Sequence, residues 1–344
     1  MMEGKQRNNN SVIVNLASLV IVIAGLKLAA PVIVPLLFSV FVSIIAIFPL
    51  FWLYKKGINK YVAISVLIFA IIFTGLTFTF ILGTSINKFV NTLPKYDALL
   101  KDDINKFVVF MADYGIDINK STLIKYVNPS SAFKLIGNLL SQLGNLLTNL
   151  FLIAFISVFM LIEISSLPHK LNIILKESHI SKKNMVQIAE SIKNYLFIKT
   201  IVSLMTGVFV TVSLYLLKID FAVLWGVIAF LLNYVPNIGS IIAAFPASLM
   251  ALVQYGIGRL LIVIVIYLIV NIVVGNIIEP RYMGKELGLS ALVVFLSLIL
   301  WGWMFGIVGM FLSVPLTIIA KIILYESPDK KWIAILLSDK LEDG

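Results

Sequence analysis

The chain has no cysteine and only two histidines in 344 residues. Without thiols, neither a disulfide framework nor a thiolate metal site can form, and the redox compartment leaves no trace in the sequence. His169 and His179 sit in a polar stretch where no carboxylate or cysteine completes a metal-ligand spacing, so they read as solvated side chains. No metal site is expected. Catalytic motifs are equally scarce, because GxGxxG, a Walker loop and HExxH are all absent. An intramembrane serine protease needs a histidine at membrane depth, and neither histidine is placed there. An aspartyl counterpart needs two buried aspartates, yet only Asp220 comes near, at the end of an apolar run. The expectation is a protein that is not an enzyme, with no catalytic residue and no cofactor, leaving sodium or proton coupling as the open question.

Charge is scarce too. Charged residues make up 13% of the chain and hydrophobic ones 60%, against about 25% and 45–50% in globular domains. With a mean hydropathy of +1.04, this composition predicts an all-α, polytopic membrane protein. The net charge of +10 does not point to nucleic acid, because the 27 Lys and Arg lie mostly at the ends of apolar runs. The first run, from Ser11 to Ala30, resembles a secretory signal, but Pro31 and a second apolar run predict a retained helix.

Apolar runs at 11–30, 32–54, 61–84, 143–165, 199–218 and 259–278 are each about long enough to span a bilayer. Two more, 221–255 and 290–325, are overlong and broken. As a straight helix, 221–255 would be roughly 50 Å long against a hydrocarbon core of about 30 Å. Cut at Pro236-Asn237-Ile238-Gly239, it gives two arms of about 15 residues and roughly 22 Å, too short to cross comfortably. A re-entrant hairpin fits better. Irregular backbone at membrane depth is tolerated where protein or a water-filled cavity surrounds it, which is where transporters place their sites. The run 290–325 predicts a second hairpin, broken around Gly302, Gly306 and Gly309. Gly239 and Pro246 in one run correspond to Gly309 and Pro315 in the other, with spacings that differ by one residue.

Lys and Arg collect at the N-terminus, at 55–60, at 170–193, at Arg281 and Lys285, and at 321–331. Placing all of these inside gives six full spans, two opposed re-entrant hairpins and both termini in the cytoplasm, in a cytoplasmic-membrane protein. Three regions follow: helices in 1–84, an extramembrane amphipathic insertion in 85–142, and a transport region in 143–344. Within the insertion, Tyr96, Leu99, Leu100, Ile104, Phe107, Val108 and Met111 recur at helical spacing, predicting a helix that begins near Pro94. Such a helix suits the membrane surface, with lipid as a partner, or a neighbouring subunit in a homo-oligomer.

Intramembrane charges mark function by default. Lys27 and Glu163 lie near run ends, where snorkelling and interfacial solvation account for them. Glu279 closes an apolar run containing Asn271 and Asn276 and precedes Pro280 and Arg281. Glu279 and Arg281 read either as a functional site or as an ion pair that ends the helix. At the first break, the amides of Asn233 and Asn237, Ser240 and the backbone freed by Pro236 and Gly239 offer contacts to a polar solute or a cation. The alternative is a proline kink whose amides satisfy the backbone.

The stretches NYVPNIGSIIAAFPASLMAL at 233–252 and NIIEPRYMGKELGLSALVVFLSLILWGWMFGIVGMFLSVPL at 276–316 resemble the autoinducer-2 exporter family. Pro236, Gly239 and Pro246 match its Pro-x-x-Gly hairpin; Glu279, Pro280, Gly284 and Gly288 match its Glu-Pro segment; Gly306, Gly309 and Pro315 match its last hairpin. The resemblance implies an oligomeric multi-spanning transporter of a small molecule or ion, either an autoinducer-2 exporter or a sodium or lithium/proton antiporter using Glu279. A non-transporting membrane scaffold is the third reading. Val274 stands where many members carry glutamate, and Ser290-Ala291 where His-Pro is common, which leaves fewer groups for proton coupling.

Overall fold

A computed structural model describes residues 14, 17–18, 20–113, 129–163, 182–236, 238–283, 289–325 and 331–338. The fold is all-α, with no strand among these residues. Six helices are long and apolar enough to cross a membrane: Ala30–Lys55, Lys60–Lys106, Ile192–Leu216, Ile238–Tyr255, Ile257–Tyr282 and Leu292–Phe311. The all-α polytopic fold is the expected one, and four of the runs read from the sequence, 32–54, 61–84, 199–218 and 259–278, are among these helices, while the run 11–30 lies partly outside the described residues. The run 143–165 is divided by a turn at Asn149 into the end of Pro129–Thr148 and the shorter Leu150–Glu163. One arm of each broken run reaches spanning length instead.

The chain forms two compact units. One comprises 1–44, 155–180 and 287–344; the other comprises 45–154 and 181–286.

In the first unit, buried serines link the 30–44 part of helix α1 (Ala30–Lys55) to the 155–163 segment. Ser157 Oγ donates to the Ser39 carbonyl at 3.3 Å, and Ser43 Oγ reaches the Ser157 carbonyl at 3.5 Å. Small residues let helix backbones approach where lipid supplies no hydrophobic drive. The second broken run doubles back inside its helix (Ala291–Phe311), where Gly306 adopts φ 63°. A side chain there would be strained. Pro315 lies in the first turn of the following helix, Ser313–Tyr325, where its missing N–H is harmless.

In the second unit, α2 (Lys60–Asp113) is a single helix of 54 residues, about 81 Å long, far more than a bilayer needs. The expected start near Pro94 is not observed, because Pro94 lies inside it. Packing explains the difference. Phe89, Tyr96, Leu100 and Ile104 are buried on one face, and that burial carries the helix past the hydrogen bond the proline removes. α3 (Pro129–Thr148) packs against α2, burying Ile136 and Leu140. The next helix, α4 (Leu150–Glu163), starts in this unit, and its residues from Phe155 on, Ser157 among them, belong to the first. Residues 114–128 lie outside the described ones, so the insertion 85–142 is seen only in part.

The first broken run forms α6 (Ala222–Leu232) and α7 (Ile238–Tyr255), arms of 11 and 18 residues rather than two equal ones. Gly239 is buried where the arms meet, and a Cβ there would overlap the Leu232 carbonyl and stand 3.1 Å from Val235 Cβ. Gly309 repeats this geometry in the other hairpin: its Cβ would overlap the Trp301 carbonyl and stand 3.0 Å from Phe305 Cβ. In both, the second arm begins with a glycine pressed on the last turn of the first. The weak sequence repeat thus has a local structural counterpart.

The base of the first hairpin is strained and heavily tied. Lys218 and Phe221 have φ 58° and 61°, and Gly256 has φ 77°. Tyr255 Oη donates to the Lys218 carbonyl at 3.0 Å and Arg259 Nη1 to the Leu217 carbonyl at 2.8 Å. From α2, Tyr96 Oη donates to Asp220 Oδ2 at 2.6 Å. Tyr96→Phe is expected to destabilise this unit by about 1 kcal/mol in a thermal-unfolding assay, since Asp220 keeps solvent as an alternative donor.

Candidate functional site

Helix α5 (Lys182–Leu216) carries Tyr195, Lys199, Ser203 and Thr206 at intervals of four, four and three residues. That spacing places them on one helix face. All four are buried in the second unit, so a polar seam runs through an otherwise apolar interior. Its position follows from a close helix crossing. A Cβ on Gly207 would stand 2.8 Å from the Gly226 carbonyl, and one on Gly226 would stand 2.7 Å from the Gly207 carbonyl, so α5 and α6 cross nearly backbone to backbone.

This crossing brings the break after α6 alongside the seam. Asn233 Nδ2 donates to Ser203 Oγ at 3.0 Å, and Tyr234 Oη donates to Thr200 Oγ1 at 2.8 Å. Next to them, Lys199 Nζ and Glu279 Oε1 form an ion pair at 2.6 Å. The side chains are 5% and 17% exposed, so the pair is largely out of solvent. Unpaired, either charge would cost several kcal/mol to bury, and pairing leaves the seam electrically neutral.

Glu279 reaches α5 because the helix before it is not α-helical throughout. α8 (Ile257–Val270) gives way to a π-helix over Asn271–Ile278, and the Glu279 N–H bonds the carbonyl of Val274, five residues back. The wider turn moves Glu279 off the face on which an unbroken α-helix would place it. The expected partner Arg281 is therefore not its partner. Arg281 lies exposed in α9 (Glu279–Met283), and Lys199 takes the carboxylate.

Among the predicted site residues, Asn233 and Glu279 come to neighbouring turns of the same α5 face. Pro236 is half-buried, and its carbonyl accepts from Ile238 N at 2.6 Å. Ser240 is half-buried in the first turn of α7, and Asn237 lies outside the described residues. Asn271 is half-buried at the start of the π-helix and Asn276 is exposed. Gly306, Gly309 and Pro315 belong to the hairpin of the other unit. Lys199, Thr200, Ser203 and Tyr234 were missed. For Lys199, Thr200 and Ser203 the signal was the run of polar residues within α5, which reads as ordinary polarity unless the helix phase is counted; Tyr234 adjoins the predicted Asn233.

Residues 16–329 match the profile described as AI-2E family transporter. The chain belongs to the AI-2E transporter family. It is 38% identical to the AI-2 transport protein TqsA of Escherichia coli K12, covering 96% of each chain. Identity is 35% to the putative transport protein YhhT of the same organism, covering 95% of this chain and 93% of that one. A putative transport protein of Haemophilus influenzae is 36% identical, over 96% and 97% of the two chains. Membership, with six helices suited to a bilayer, makes this AI-2E family protein a multi-pass membrane transporter. Val274 is buried at 1% exposure, and among the described residues Glu279 is the carboxylate that pairs with the α5 seam, through Lys199.

Proposed function

We propose that the protein exports a small polar signalling molecule of the AI-2 type across the cytoplasmic membrane, with both termini in the cytoplasm and as a homo-oligomer. The carrying observation is the buried, neutral polar seam at the broken hairpin, where Ser203, Asn233, Thr200 and Tyr234 present hydroxyl and amide groups. The likeness to TqsA supports the cargo. The hairpin enters the membrane without crossing it, and Asn237, Ser240 and the backbone around Pro236 and Gly239 complete the polar contacts. Gly306 and Gly309, with Pro315, act as the hinge of the second hairpin. A transport role rather than an enzymatic one accords with the names of the relatives.

The test is AI-2 flux in inverted vesicles. The parent is expected to accumulate AI-2, and Asn233→Ala is expected to lower the rate about ten-fold through loss of one buried contact worth about 1.4 kcal/mol. Parent vesicles that show sodium-driven pH changes without AI-2 flux would instead identify an antiporter. An Asn233→Ala variant with parental flux would remove the hairpin break from the site.

A further inference from the structure

The first unit holds a feature apart from the polar seam of the second. A cavity of about 520 Å³ opens along the helix Ala291–Phe311, lined by Val293, Leu296, Leu300 and Trp303, with Thr317 and Leu337 closing its side. From Val293 to Trp303 it follows ten residues of helix, about 15 Å. Its lining is almost wholly apolar, and Trp303, at one end, is exposed.

A cation stands at that same end. Lys27 Nζ lies 3.5 Å from the centroid of the Trp303 ring. Lys27 is itself exposed, and its partner among the described residues is this ring rather than a carboxylate. A ring face holds an ammonium in place without neutralising it, so the positive charge remains available to an anion. Long apolar groove and fixed cation together have the chemistry of a lipid with a negative headgroup.

We propose that the groove binds one anionic phospholipid, with an acyl chain along Leu296 and Leu300 and the headgroup phosphate on Lys27. Within a bilayer the chain gains no hydrophobic energy by leaving its neighbours, so selectivity comes from the headgroup and shape from the groove.

The experiment is native mass spectrometry of the full chain extracted from vesicles of equal parts phosphatidylglycerol and phosphatidylcholine. The parent is expected to retain phosphatidylglycerol preferentially. Lys27→Gln should lower that retention about five-fold, the contribution of one basic residue near anionic lipid. Lys27→Arg should preserve it, which separates lost charge from lost folding. Leu300→Trp, which fills the groove, should lower retention of both lipids. Equal retention of the two lipids by the parent, or unchanged retention in Lys27→Gln, overturns the proposal. So does a Leu300→Trp variant that keeps its lipid but changes subunit number, because the face would then be covered by a second copy.

Discussion

Lys199→Met is expected to destabilise the protein by about 3–5 kcal/mol and to abolish transport, because it leaves the Glu279 carboxylate buried without its partner. The expectation rests on an asymmetry. Removing one member of a buried pair exposes the other to the full cost of desolvation, whereas removing both replaces the pair by packing that is often neutral or better. The double variant Lys199→Met with Glu279→Met should therefore recover parental thermal stability in detergent. Flux then separates two roles. If the pair only holds α9 against α5, the double variant transports; if the charges take part in moving the solute, it stays folded and inactive. A Lys199→Met variant that unfolds within 1 kcal/mol of the parent would show that the pair is hydrated and that the seam is not closed to water.

The second large effect belongs to the two hairpin glycines. Gly239→Ala and Gly309→Ala each place a methyl group into a backbone carbonyl, of Leu232 and of Trp301, and backbone cannot swing aside as a side chain can. Each substitution should cost about 3 kcal/mol or more and cut transport severely by prising the arms apart. The comparison is sharpened by Gly137, in the helix Pro129–Thr148, where an added Cβ meets nothing within 4 Å. Gly137→Ala should stabilise by about 0.5–1 kcal/mol through reduced backbone freedom in the unfolded chain. Melting curves for the three variants test this together. Parental stability of Gly239→Ala and Gly309→Ala would mean that the arms are not in contact at these points.

The paired behaviour of Gly239 and Gly309 bears on how the protein works. Sequence alone offered a repeat that glycine and proline abundance in membrane helices would also explain. The matching contacts, carbonyl of the first arm and Cβ of the residue four before the glycine, give that repeat a shared physical cause. A close arm-to-arm approach requires a residue without a side chain, so both hairpins keep a glycine at the same structural position.

Composition and hydropathy by themselves determined that the chain is all-α, lies in a membrane and is punctured by two broken segments, because apolar run length and proline-glycine placement are local properties. The break at 233–239 and the place of Glu279 at the close of an apolar run were legible for the same reason. Tertiary structure alone decided which charge Glu279 meets. Lys199 lies 80 residues away, and a π-helical turn after Val270 redirects the carboxylate toward it, a rotation no local pattern encodes. The continuity of α2 through Pro94 is of the same kind. Propensity argues for a boundary there, but Phe89, Tyr96, Leu100 and Ile104 are buried on both sides of it. Local chemistry chose the elements; the partners they bury against chose where those elements end and what their few charges touch.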